Sequence, residues 1–137
     1  MLQNKSQKIE AFLKGSRFAV VGASRSREKY GNKVLRCYWQ AGLDAVPVNP
    51  AALEVEGAPA APNLSAVVPP VDGVSIITPG EVTTAAVLEG LRCGVRHFWL
   101  QPGAETPEAV RLAEEAGASV IYGGACLLVV LGYRERG

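Results

Sequence analysis

The chain has one histidine, three cysteines and a net charge of only +1. Each scarcity excludes something. His97 has no cysteine at ligand spacing, and Cys37, Cys93 and Cys126 form no CxxC pair, so no zinc motif is present. Three scattered cysteines make no disulfide framework either, and reduced thiols in a cytoplasmic protein are the expectation. A near-neutral chain carries no chain-wide nucleic-acid footprint, so any basic patch must be local. No apolar run approaches the roughly 20 residues that a membrane-spanning helix needs, and the apolar stretch Ala125 to Leu131 falls far short. The first fourteen residues hold Lys5, Lys8, Glu10 and Lys14 with no apolar core of signal-peptide length. A Walker lysine motif, a Gly-x-Ser-x-Gly elbow and any metal motif are missing, which leaves no catalytic or metal-ligating set to name.

What is there is an alternation. At 137 residues and 48% hydrophobic, the chain suits one domain with a real core. Ile9, Phe12 and Leu13 form a short helical stripe, predicting an N-terminal helix within residues 1–15 that packs on that domain. A strand is expected over Phe18 to Val21, then a helix from about Gly31 to Ala41. A second strand, Asp44 to Val48, ends at Asn49-Pro50. Ala51 to Pro62 reads as a loop with a weak extended piece near Gly57-Ala58, and Asn63 opens one helical turn. A third strand spans Gly73 to Ile77, followed by a helix that Pro79 starts and that reaches about Cys93. A fourth strand, His97 to Leu100, precedes a helix capped by Thr106 and started by Pro107. A fifth strand is Ala118 to Ile121. Continuous apolar strands separated by helices mean βαβ units. The expected fold is α/β: a three-layer, Rossmann-like, doubly wound parallel sheet of about five strands.

Such sheets bind ligands beyond the carboxyl ends of their strands. The first of those ends is the most informative. In "RFAVVGASRSREKYGNKVL" the strand stops at Gly22, and Gly22-Ala23-Ser24 is small enough for the backbone to approach a phosphate. Arg25, Ser26, Arg27 and Lys29 follow, and from Gly22 to Cys37 five basic residues face one acidic one, Glu28. This is an anion turn or a solvated basic loop, and its place at a strand's carboxyl end favours the anion. It is not GxGxxG. The second strand ends in "VPVNP" with no carboxylate to grip a ribose diol, which disfavours NAD. Asn49 and Pro50 occupy that place, where Asn-Pro is also a common turn starter. Thr78-Pro79 and Gln101 stand at the next two strand ends. His97 lies at the opposite, amino end of its strand and reads as structural.

The set of "VGAS", "AVPVNP", "TP" after the third strand, "WLQPG" after the fourth and a cysteine after the fifth resembles the stand-alone CoA-binding domain family. That family is similar to the nucleotide-binding domain of the succinyl-CoA synthetase α subunit. The likeness runs from about Arg17 to Leu131. It implies a ligand, coenzyme A or an acyl-CoA, with Gly22, Ala23 and Ser24 at the phosphates and Arg25 to Lys29 as the basic loop. It also implies contacts from Asn49 and Pro50, from Thr78 and Pro79, and from Gln101. The C-terminal "YGGACLLVVLGYRERG" departs from the family, being small and apolar around Cys126, and is expected to pack on the sheet or on a second subunit.

The residues and the resemblance together point to a non-catalytic binding or regulatory module for a small-molecule CoA. An NAD(P)-binding enzyme or sensor, and a subunit of an acyl-CoA synthetase-like complex, stand as alternatives. A homo-oligomer or a partner subunit stays open. Cys126, after a Gly-Gly turn, is either an inert thiol or one able to form a mixed disulfide with CoA.

Overall fold

The computed structural model describes residues 3–135. Helix α1 spans Lys5–Leu13, and its start is fixed by a reciprocal cap in which Asn4 and Gln7 bond each other's backbone N–H. Strand β1 (Arg17–Val21) leads through the turn to α2 (Tyr30–Gln40), then to β2 (Asp44–Val48). A hairpin follows, β3 (Glu54–Val55) and β4 (Ala58–Pro59), then a single 3₁₀ turn at Leu64–Ala66. The chain closes with β5 (Gly73–Ile76), α3 (Gly80–Arg92), β6 (His97–Leu100), α4 (Pro107–Glu115), β7 (Ser119–Ile121) and α5 (Leu127–Val130).

The five long strands make one parallel sheet in the order β2-β1-β5-β6-β7. The strand order reverses at β1, whose neighbours on its two sides, β2 and β5, both follow it in the chain. A doubly wound sheet opens its ligand crevice at that reversal.

Residue alternation along β1 sorts the two cores. Phe18 and Val20 pack with Val34, Leu35 and Tyr38 of α2, Phe12 of α1 and Leu127 of α5. Ala19 and Val21 pack on the other face with Val87 of α3 and Ala109 and Ala113 of α4. These are the three layers the apolar pattern predicts. A polar pair inside the α2 core, Tyr38 Oη and Ser75 Oγ, is satisfied by a mutual 2.5 Å hydrogen bond.

Both sheet edges are covered. Beside β2, Ala61 N–H donates to Pro47 O and Asn49 N–H donates to Ala61 O, so the strand after the hairpin runs along the outer edge. At β7, Ser119 N–H donates inward to Arg96 O, which turns Val120 outward, and Lys8 Nζ donates to the Val120 carbonyl. Two features differ from the sequence reading. The expected loop over residues 51–62 holds a hairpin whose corner, Glu56-Gly57, has φ of 52° and 80°. The apolar stretch after Cys126 forms α5, with Leu127 fully buried in the α2 core.

Candidate functional site

The first turn is built by its neighbours. Gly22 sits at φ 96°, in the region that favours glycine. Asn49 Nδ2 donates to the Ala23 carbonyl at 2.9 Å, and Asn32 Nδ2 donates to the Ser24 carbonyl at 2.8 Å. Arg36 Nη2 donates to the Arg27 carbonyl at 2.6 Å. Three side chains therefore hold the turn's carbonyls, Asn32 and Arg36 from α2 and Asn49 from the end of β2. The N–H groups of Ala23, Ser24 and Arg25 take no partner among the described residues. A turn whose carbonyls are occupied and whose N–H groups are spare can accept an anion. Helix α2 approaches so closely that a Cβ on Gly31 would lie 2.0 Å from Gly22 O. The sequence reading treated Gly31 only as the start of a helix.

In front of the turn lies a cleft of about 680 Å³. Its walls include Gly22, Ala23, Ser24, Lys29, Asn49, Pro50 and Thr78 from the expected set. The far wall comes from α3 and the 3₁₀ turn: Val82, Ala85, Ala86, Glu89, Arg92, Asn63 and Ser65. That wall was not anticipated. Its signal was the i, i+3, i+4, i+7 spacing of Val82, Ala85, Ala86 and Glu89, one helix face that is small and apolar except at Glu89 and opens toward the crevice.

Polar groups in the cleft divide by whether they are already engaged. Glu89 accepts from Leu64 N at 3.1 Å and Ser65 Oγ at 2.9 Å, so it caps the 3₁₀ turn. Asn49 Oδ1 accepts from Ala51 N and Ala52 N, so both ends of its amide are occupied by scaffold. Thr78 Oγ1 lies 3.0 Å from Thr83 Oγ1, which is buried and bonds the Thr78 carbonyl at 2.7 Å. Lys29 and Arg92 form no ion pair with a described carboxylate and are the two cations of the cleft.

The other basic residues of the loop point elsewhere. Arg27 pairs with Glu56 at 2.6 Å. Lys33 and Arg36 face Glu135 at 4.0 and 3.4 Å, and Arg36 is buried over the ring of Tyr133. The Tyr133 hydroxyl, followed by Arg36 and Lys33, holds the Glu135 carboxyl below its ordinary value. Arg25, Ser26 and Pro79 lie outside the cleft lining. The local charge excess read from the sequence is thus partly internal bracing.

Gln101 is fully buried on the opposite side of the turn. Its Oε1 accepts from Tyr30 Oη at 3.0 Å and from Leu127 N at 2.9 Å. Tyr30 Oη also lies 2.6 Å from Cys126 Sγ. Burial, then the contact with Cys126, raises the Tyr30 hydroxyl well above its ordinary value, so it stays protonated. Burial, then Cys126, raises the Cys37 thiol to about 11. His97 begins β6, at the amino end of the sheet, with Phe12 edge-on to its ring.

Comparison with known proteins places this geometry. A family model described as a CoA binding domain matches residues 16–132. An uncharacterized protein of Bacillus subtilis (strain 168), YneT, is 30% identical over 118 residues, which cover 86% of this chain and 87% of that one. A solved conserved hypothetical protein from Pyrococcus furiosus superposes with a TM-score of 0.79 at 33% identity, covering 83% of this chain and 97% of that one. A dinucleotide forming acetyl-coenzyme A synthetase 1 from Ca. Korarchaeum cryptofilum, solved with phosphate and ADP, gives 0.70 at 30% identity. There the match covers 80% of this chain but only 25% of the synthetase.

Proposed function

The chain belongs to the CoA binding domain family, and from that premise we propose that its cleft binds coenzyme A or an acyl-CoA ester without turning it over. The observation that carries the reading is the first turn. Its carbonyls are held by Asn49, Asn32 and Arg36, and the N–H groups of Ala23, Ser24 and Arg25 are left for an anion. The diphosphate lies on this nest, near the amino end of α2, where the helix dipole adds to the attraction. Lys29 and Arg92 supply the two positive charges on facing walls. Pro50, Pro62, Val82 and Ala85 offer apolar surface to the uncharged parts of the ligand. Thr78, held by Thr83, offers a hydroxyl at the crossing of the sheet. Arg25, Ser26, Arg27 and Pro79 act at longer range, and Gln101 acts from behind the turn.

Among the described residues that line the cleft the one carboxylate, Glu89, is engaged in capping, which supports binding without turnover. The synthetase likeness covers a quarter of that enzyme, which supports a role as a binding unit, alone or beside a partner. Calorimetric titration with CoA, dephospho-CoA and NAD tests the reading. CoA is expected to bind tightest, and NAD binding in place of CoA would overturn it.

A further inference from the structure

Behind the anion turn lies a second cluster that the cleft does not use. Cys126 is partly exposed after Gly123-Gly124, and its Sγ lies 2.6 Å from Tyr30 Oη. Tyr30 Oη donates to Gln101 Oε1, and Leu127 N–H donates to the same oxygen. The remaining end of that amide, Gln101 Nε2, is buried and has no partner. Turning the amide over does not cure this, because Leu127 N–H would then face an NH₂ group. A buried donor without an acceptor is costly, and such a group beside a thiol marks a place where a further acceptor belongs. The cluster is also next door to the cleft: Lys29 lines the cleft, and Tyr30, the following residue, touches Cys126.

We propose that Cys126 is an attachment site for the thiol end of the ligand, forming a mixed disulfide by exchange with the disulfide form of coenzyme A. The inference rests on the CoA reading of the cleft. The nest holds one diphosphate, and the long thiol-bearing arm of the same molecule passes around the turn to Cys126. The thiolate of Cys126 attacks the nearer sulfur of the bound disulfide. That S–S bond breaks, a new bond joins Cys126 Sγ to one CoA sulfur, and the second CoA leaves as a thiolate. The leaving thiolate takes up the proton that Cys126 released to solvent, so the only oxidant consumed is the disulfide itself. With its one O–H given to Gln101 Oε1, Tyr30 Oη accepts from the Cys126 thiol at 2.6 Å and so positions the sulfur before it loses its proton.

The test is intact-mass analysis of the full chain after exposure to CoA disulfide or to glutathione disulfide, with peptide mapping of the adduct. One CoA per chain is expected on Cys126, removable by dithiothreitol, formed at least about ten-fold faster than the glutathione adduct because the cleft directs it. Cys126→Ser should lose the adduct and Cys93→Ser should keep it. Tyr30→Phe should slow adduct formation by a larger factor than it weakens binding of reduced CoA. An adduct on Cys93, whose sulfur lies 3.8 Å from Ser65 Oγ of the cleft wall, would overturn the proposal. Equal rates with the two disulfides would overturn it too. Calorimetry of reduced CoA with Cys126→Ser separates the two claims. Binding without a Cys126 adduct in the native chain ends this inference alone, whereas absence of CoA binding ends the cleft reading as well.

Discussion

The two sides of the turn from Gly22 to Lys29 contrast sharply. The front, facing α3, includes the small residues Gly22, Ala23 and Ser24, and the N–H groups of Ala23 and Ser24 have no partner among the described residues. The back, facing α2 and α5, is a closed mesh in which Asn32, Arg36, Tyr30 and Gln101 engage nearly every polar atom they reach. Donors in front can only be spared if acceptors behind are satisfied, because a carbonyl left free would rotate into the cleft and repel an anion. The surface of the cleft is therefore set as much by residues that never touch it as by those that line it.

The strongest break of this contrast is Gly31→Ala. The new Cβ would lie 2.0 Å from Gly22 O, which is backbone and cannot swing aside. We expect a loss at or above the upper end of the usual overpacking cost of about 1–3 kcal/mol, read by urea denaturation, together with loss of CoA binding. Asn32→Ala comes next. It strips the Ser24 carbonyl and Arg36 Nε of their partners in a buried place. A stability loss of about 1–3 kcal/mol is expected, and CoA affinity should fall even though Asn32 does not line the cleft. Affinity unchanged at reduced stability would show that the back does not shape the front.

A milder probe changes charge alone. Lys29→Ala and Arg92→Ala should each weaken CoA binding several-fold at low salt. The deficit should shrink as salt rises, since exposed charges are screened over about 8 Å at physiological strength. Lys33→Ala, on the back beside Glu135, should leave affinity unchanged. The smallest effect concerns the thiol core of the back. Cys37 is raised from 9.0 to about 11 by burial and by Cys126. Its neutral form thus favours the folded state fully below about pH 9, and that contribution fades as pH climbs through 11. Thermal melts over this range should show a shallower alkaline decline for Cys37→Ser than for the native chain.

Much of the fold was legible because its strands are short apolar runs with clear stops. Phe18 to Val21, Asp44 to Val48 and His97 to Leu100 read as strands from composition alone, and Thr106-Pro107 marked α4. The hairpin at Glu54 to Pro59 was legible only as a weak extended piece near Gly57-Ala58, since its strands have two residues each and its turn carries Glu56 rather than the usual Asn or Asp ahead of glycine. Helix α5 was hidden because Leu127 to Val130 is one turn long, too short for periodicity to show. Within the candidate site, position at strand ends located Gly22, Asn49 and Thr78 at the cleft. Position could not reveal which way a side chain turns. Gln101 follows β6 as expected, yet its amide faces α5, and Arg36, counted in the sequence only as one of five basic residues, turns its guanidinium to brace the Arg27 carbonyl. Arg92 sits a whole helix away from the strand end that brings it to the cleft.

The lysines of α1 carry one more consequence. An open sheet edge is a template onto which other chains can add strands, and β7 would be such an edge. Lys8 Nζ caps the outward Val120 carbonyl and Lys5 Nζ caps Gly123 O, so charged ammonium groups stand where a foreign backbone N–H would dock. Helix α1 therefore acts as a guard against aggregation as well as a plug of core. Removing these two charges, with Phe12 left in place, should leave the fold standing but turn a well-behaved solution into one that gels or forms fibrils at high concentration.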